Sequence, residues 1–246
     1  MVKRPRQQIT AKDARGRSQT VWYEGEWVAG TNVREGKGKA VFPNGSIYEG
    51  WWKADKMHGR GRFIASSGEV YEGSFRNGER SGRGELSQPN GDRYWGEFVN
   101  GKRHGQGVET YGSGGQYEGS FEDDEKHGQG SESWPDGDKY EGEFAYGKMS
   151  GQGKFSEANG TVYQGSFEDG YEHGKGVEIS PDKTKYVGDF VRGNREGHAV
   201  FLWPDGSQFV GSFKNNYQHG IGVNIDARGN SRAGLWKAGR LVRYID

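Results

Sequence analysis

The feature that most limits what this chain can fold into is a five-residue outline, aromatic-x-Gly-x-aromatic, that returns at an almost fixed interval along its length. The leading aromatic falls at Tyr23, Tyr48, Tyr71, Tyr94, Tyr117, Tyr140, Tyr163, Tyr186 and Phe209; the first step is 25 residues and every later one is 23. A strict period of this length belongs to repeat arrays, in which each unit buries its apolar surface only against its neighbours. It does not belong to an ordinary closed domain.

The unit from Tyr94 shows the pattern. Tyr94-Trp95-Gly96-Glu97-Phe98 alternates, so positions 1, 3 and 5 share one face and positions 2 and 4 the other, the period-two signature of a strand. Asn100-Gly101, like Asn77-Gly78, Tyr146-Gly147 and Asp169-Gly170 in other units, supplies residues that tolerate positive φ where the chain reverses. A second strand follows through Gly-x-Gly, and Asn44-Gly45, Asn90-Gly91, Asp136-Gly137, Asn159-Gly160 and Asp205-Gly206 turn the chain into the next unit. Each unit is thus one hairpin, and no helical period interrupts them. The expected fold is all-β: an elongated single-layer antiparallel meander of about ten 23-residue hairpins. About 20 strands at roughly 4.8 Å spacing predict a rod on the order of 90–100 Å long.

Composition agrees with a thin molecule. Of 246 residues only 30% are hydrophobic, mean hydropathy is -1.03 and 45 residues are glycine, which leaves no material for a deep apolar interior. Aromatic residues make up 13% of the chain, and flat rings can cover a single sheet. Basic and acidic residues balance at 34 each, so no global field points to nucleic acid or an anionic membrane. There is no cysteine, no apolar run near the roughly 18 residues of a membrane span, and no apolar core of a secretory signal. These features suit a reducing, cytoplasmic setting. Asn44-Gly45-Ser46 and Asn159-Gly160-Thr161 match the glycosylation sequon but read as turns.

Three segments follow. Residues 1–20 carry Lys3, Arg4, Arg6, Lys12, Arg15 and Arg17 against Asp13 and show no periodic apolar positions, so they read as a flexible or partner-ordered basic tail. Residues 21–231 hold nine repeats, the first atypical through Trp22 and a two-residue insertion near Asn32-Val33. Residues 232–246 hold a partial tenth repeat, with Leu241, Val242, Tyr244 and Ile245 placed to cap the array.

Glycine occupies position 3 in all ten units, from Gly25 to Gly234, although glycine weakens a strand. The offsetting gain is space for a ring to lie over the glycine of a neighbouring strand. Trp27, Trp52, Phe75, Phe98, Phe121, Phe144, Phe167, Phe190, Phe213 and Trp236 are accordingly expected to form, with the leading aromatics, one continuous ladder. Tyr-Glu-Gly-x-Phe/Trp followed by Asn-Gly, His-Gly-x-Gly and Pro-Asn/Asp-Gly resembles the MORN (membrane occupation and recognition nexus) repeat over about 220 residues. That resemblance implies a curved sheet whose aromatic groove serves as a protein-binding scaffold, often in cytoskeletal, ciliary (axonemal) or membrane-linked assemblies. Ala199 departs from the pattern by replacing the second glycine of its unit, which bears on the turn geometry expected there.

Candidate chemistry is sparse. His58, His104, His127, His173 and His219 share one repeat position, but equivalent residues lie two strands apart, about 9–10 Å, too far to converge on one metal at about 2.0–2.1 Å. The Gly-x-Gly pairs continue into no Gly-Lys-Ser/Thr loop, and neither a nucleophile elbow nor a His-Glu-x-x-His helix occurs. Glu24, Glu49, Glu72, Glu118 and Glu141 recur at position 2 as a solvated stripe. No enzyme, cofactor or metal site is expected.

Where a repeat breaks its own rule, fold alone does not account for the residue. Trp95 replaces Glu at position 2, Trp51 replaces Glu or Ser at position 4, and Val187 and Val210 replace polar residues at position 2 of adjacent units. Tyr111, Trp134 and Trp203, before inter-repeat turns, could line an edge groove. These seven are the candidate partner-binding residues. The expected function is a non-catalytic scaffold for protein partners along groove and edges, with a homodimer through end strands as a candidate. The alternative is a peripheral module that binds acidic lipids through the basic tail.

Overall fold

The computed structural model describes residues 1–12 and 18–245, in two compact units, Met1–Glu125 and Lys126–Asp246. The first holds β1 (Val2–Lys12), β2 (Ser18–Trp27), β3 (Arg34–Val41), β4 (Ile47–Lys53), β5 (Lys56–Ile64), β6 (Val70–Arg76), β7 (Glu79–Ser87), β8 (Arg93–Val99), β9 (Lys102–Thr110) and β10 (Gln116–Glu122). The second holds β11 (Glu125–Ser133), β12 (Lys139–Ala145), β13 (Lys148–Ser156), β14 (Val162–Glu168), β15 (Tyr171–Ile179), β16 (Lys185–Val191), β17 (Asn194–Leu202), β18 (Gln208–Lys214), β19 (Tyr217–Ile225), β20 (Ser231–Lys237) and β21 (Arg240–Tyr244). Within each unit, strands adjacent in sequence pair antiparallel. Each is an all-β meander one sheet thick, and no helix occurs among the described residues.

Two turns alternate. Inside a hairpin, Asn77 (φ 54°) and Gly78 (φ 96°) both take positive φ, the geometry of a tight turn between right-twisted strands. Between hairpins, the Phe42 amide donates to Ser46 O at 2.9 Å and Gly45 N to Phe42 O at 2.9 Å, closing the loop around Asn44-Gly45.

The aromatic ladder is present in both units, with one refinement. Tyr71 lies over glycines of its own strand and of the partner strand: a Cβ on Gly73 would stand 2.5 Å from Tyr71 Oη, and one on Gly84 2.4 Å. Both positions therefore demand glycine. Phe75 meets Tyr71 and Tyr48 edge-on, each at 5.0 Å between centroids, a contact worth about 0.5–1.5 kcal/mol beyond burial. The same alternation runs through Tyr140, Phe167, Tyr163 and Phe190 in the second unit. A bulge at Ser74 breaks the register between Gly73 and Phe75 and frees the Ser74 carbonyl, to which Tyr71 Oη donates at 2.9 Å. Burial pushes the Tyr71 hydroxyl up to about 12.

Three expectations change. The basic tail is in part a strand: β1 pairs with β2 from Val2↔Trp27 to Lys12↔Ser18, because backbone pairing needs no apolar periodicity. Residues 13–17 of that segment lie outside the described residues. Ala199 is a buried strand residue opposite Gly188 and Gly211, so the glycine it replaces serves the ladder and not a turn. At the C-terminal end Leu241 takes the ring's place over Gly234, where a Cβ would meet Leu241 Cδ1 at 2.6 Å, whereas Val242 and Tyr244 stay exposed.

Candidate functional site

Because the ladder occupies one face, positions 2 and 4 and the residue before the leading aromatic project from the other. Pairing registers order them into rows across the strands. In the first unit the position-2 row reads Glu24, Lys39, Glu49, Arg62, Glu72, Glu85, Trp95, Val108, Glu118. It is largely a surface charge zipper, with Lys39–Glu49 at 3.2 Å and Arg62–Glu72 at 4.0 Å. In the second unit the corresponding row passes from Glu141, Lys154 and Gln164 into Val177, Val187, Val200, Val210, Val223 and Ala233. Six adjacent strands thus carry an unbroken apolar row, widened by Ile179, Leu202 and Ile225 of the neighbouring row. A shallow depression of about 690 Å³ lies over Val177, Val187, Val200 and Val210, with Lys175 and His198 at its side.

The predicted residues divide accordingly. Val187 (37% exposed) and Val210 (39%) belong to one surface, joined by Val200. Val177, Val200 and Val223 were missed because they stand on second strands, directly after the second glycine or Ala199. Pairing the central glycines across each hairpin, as Gly188 pairs with Ala199, would have found them. Trp51 (44%) and Trp95 (55%) are outward as expected but are not one patch. They occupy different rows on β4 and β8, about 19 Å apart at four strand spacings. Each has a cation over its ring, Lys37 at 5.3 Å and Arg83 at 5.8 Å. Tyr111, Trp134 and Trp203 all open inter-repeat turns, as Gly206 N→Trp203 O at 3.0 Å shows, and are half-buried. Trp134 packs on Phe155 at 5.7 Å, Trp203 on Phe201 at 4.9 Å, and Tyr111 Oη meets Glu109 at 3.3 Å, so part of each is engaged inside the fold.

The ladder face carries a second column that sequence reasoning passed over. Arg80 sits over Tyr71 and Phe98, each at 5.7 Å, Arg103 over Phe121 at 5.1 Å, Lys126 over Phe144 at 5.8 Å and Arg195 over Tyr186 at 5.3 Å. Carboxylates neutralise them: Glu69 for Arg80, Glu109 for Arg103, Glu132 for Lys126 and Glu178 for Arg195. The legible signal was a basic residue nine places after the leading tyrosine. Met57, Met149 and Gln218 leave that place uncharged, and Glu172 reverses its charge; the Glu172 carboxyl is pushed up to about 7 by burial and by Glu178 and Glu157.

The histidines do not converge: His58 pairs in register with Trp51, His104 with Glu97, and His173 meets Glu168 at 3.2 Å. Among the described residues no group of His, Asp or Glu is placed to hold a metal ion.

Fold and surface together define a β-hairpin repeat protein, with one face given to an aromatic ladder and the other to rows that vary from unit to unit. The MORN repeat family model matches residues 23–47, 48–70, 71–93, 94–116, 117–139, 140–162, 163–185, 186–208 and 209–230, and the chain belongs to that family. The repeat is in general a non-enzymatic module that mediates protein or membrane binding. No curated protein matches the chain in sequence. Among solved structures, it is similar to the SAS-4 (dCPAP) TCP domain of Drosophila melanogaster in complex with a proline-rich motif of Ana2 (12% identity, 86% of this chain and 94% of that one, TM-score 0.30). It is also similar to a streptogramin B lyase (12% identity, 89% and 74%, TM-score 0.17). At these TM-scores neither likeness extends to fold or function.

Proposed function

We propose that this chain is a non-catalytic, cytoplasmic repeat scaffold that docks segments of other proteins on its ladder face, edges and outer face, within a cytoskeletal or ciliary assembly. The observation that carries the docking role is the valine row, an apolar surface that the ladder does not need and that a thin sheet leaves uncovered. The assembly rests on family resemblance. Affinity purification with mass spectrometry tests the reading, comparing wild type with Val187→Thr/Val210→Thr and Trp51→Ala/Trp95→Ala. Each pair is expected to lose a subset of partners; an identical set from all three removes the outer face from the account.

The lipid-binding alternative has less support, because Arg4 lies over Trp27 at 5.0 Å and donates to Thr31 O at 2.9 Å, and Arg6 lies over Trp22 at 5.1 Å. Liposome flotation with and without residues 1–20 separates the two: flotation on acidic lipids that disappears with the segment would replace the scaffold reading. End strands β1 and β21 also offer unpaired edges for a homodimer. Light scattering showing a monomer at high concentration would remove it.

A further inference from the structure

Arg34 is the least exposed cation of the ladder face, at 5%. It repeats the arrangement of Arg103 almost donor for donor. The Arg103 amide donates to Asp124 Oδ1 at 2.8 Å, its Nε to the same oxygen at 3.4 Å and its Nη2 to Asp124 O at 2.6 Å. The Arg34 amide donates to Asp55 Oδ1 at 2.8 Å, its Nε to that oxygen at 3.1 Å and its Nη2 to Asp55 O at 2.8 Å. Both guanidinium groups stack on two rings, Arg103 on Tyr94 and Phe121, Arg34 on Tyr23 at 5.7 Å and Trp52 at 4.1 Å.

The fourth donor differs. Arg103 Nη1 is taken by Glu109, which stands between Tyr94 and Tyr117 in the pairing register. The residue between Tyr23 and Tyr48 is Ala40, and the buried Nη1 of Arg34 has no partner. A buried guanidinium edge without an acceptor is costly, and a charged donor gains most from a carboxylate. Burial draws Arg34 below the ordinary arginine range, with Asp55 opposing it, so the cation is under-compensated.

Arg34 lines a cleft of about 840 Å³ with Phe42, Trp52, Met57 and Phe63. That is the size of a ligand pocket and much larger than a bare carboxylate. Asp55, Lys56 and Glu79 also line it, so with Arg34 its charges balance and selectivity rests on Nη1 and not on net charge.

We infer that the Arg34 cleft is a carboxylate-binding site that takes one acidic side chain of a protein segment, whose neighbouring apolar residues lie against Phe42, Trp52 and Phe63. The inference rests on the scaffold reading and names one of its docking chemistries. The bound carboxylate stands where Glu109 stands beside Arg103, and because Nη1 is sealed from solvent in the free protein, binding includes a side-chain shift that opens Nη1 to the cleft.

Calorimetric titration of the full chain with the peptide Ac-Gly-Leu-Glu-Leu-Gly-NH2 and its Gln analogue tests it. The Glu peptide is expected to bind at least about tenfold more tightly, as loss of one charge-assisted hydrogen bond implies. Ala40→Glu supplies the carboxylate internally and should erase that preference. Glu109→Ala, which frees Arg103 Nη1, should add a second Glu-selective site and covers the case in which Ala40→Glu does not fold. Equal binding of the two peptides, no binding of either at millimolar concentration, a preference that survives in folded Ala40→Glu, or unchanged stoichiometry in Glu109→Ala overturns the site. Sodium acetate that competes as well as the peptide shows that a free carboxylate suffices and overturns the assignment to a protein segment; inorganic phosphate that does so overturns the carboxylate. If the site fails while Val187→Thr/Val210→Thr still loses partners, the scaffold stands without it.

Discussion

The position-2 row is charged across most of the first unit and apolar over six strands of the second, while the ladders beneath them are built alike. Glu24, Lys39, Glu49, Arg62 and Glu72 answer to Gln164, Val177, Val187, Val200 and Val210 in kind of position but not in chemistry. Tyr71 with Phe75 and Tyr163 with Phe167 meet at 5.0 and 5.1 Å in the same edge-on geometry. The lesson is that burial and close approach dictate one face and leave the other free, so specificity can be written on the outer rows and in the slots above the rings.

The largest effect should come from breaking the shared face. Tyr71→Ala and Tyr163→Ala should each cost about 3–5 kcal/mol in urea unfolding, as buried large-to-small changes do. A cost below about 1 kcal/mol in either would mean that the two ladders are not equivalent.

Next is the cation column, occupied by Arg80 and Arg103 in the first unit and by Lys126 and Arg195 in the second, where Glu172 takes the equivalent place with the opposite charge. The folded Glu172 carboxyl keeps its proton up to about pH 7, whereas the unfolded one loses it near the ordinary glutamate value of 4.5, so stability falls as pH rises through that window. Glu172→Gln should therefore stabilise the chain by about 2 kcal/mol at pH 8 and by almost nothing at pH 4.5. A pH-independent difference in melting temperature contradicts this.

A smaller contrast separates Tyr71 from Phe209. Tyr71→Phe strands the Ser74 carbonyl and should cost about 1 kcal/mol, while Phe209→Tyr offers a donor to Ser212 in the equivalent bulge and should gain a similar amount. Smallest is Lys39→Ala, which breaks the exposed pair with Glu49 and should cost about 0.5 kcal/mol or less, vanishing in high salt.

The fold was legible because its determinants are local and periodic: Gly73 must be glycine under Tyr71, and Asn77-Gly78 must turn. The site was legible only in part. Val187 and Val210 stood out within their own strand pattern, but Val177, Val200 and Val223 become their neighbours only through pairing between strands. Trp51 and Trp95 stand outward as expected, but only the pairing registers show that they lie in different rows on β4 and β8. β1 escaped because main-chain pairing with β2 leaves no mark in side-chain periodicity. The unpartnered Nη1 of Arg34 needed two repeats set side by side, with Ala40 against Glu109, before the missing acid could be seen.

The most direct test of the claim that regular residues build while departures bind is to measure stability and partner capture on one variant, Val187→Thr/Val200→Thr/Val210→Thr. Threonine keeps strand propensity and shape and removes only the apolar surface. The account predicts a melting temperature within about 3 °C of wild type, the shift expected for a change below about 1 kcal/mol, together with loss of a subset of the partners that wild type captures. Retention of every partner by the folded variant contradicts it.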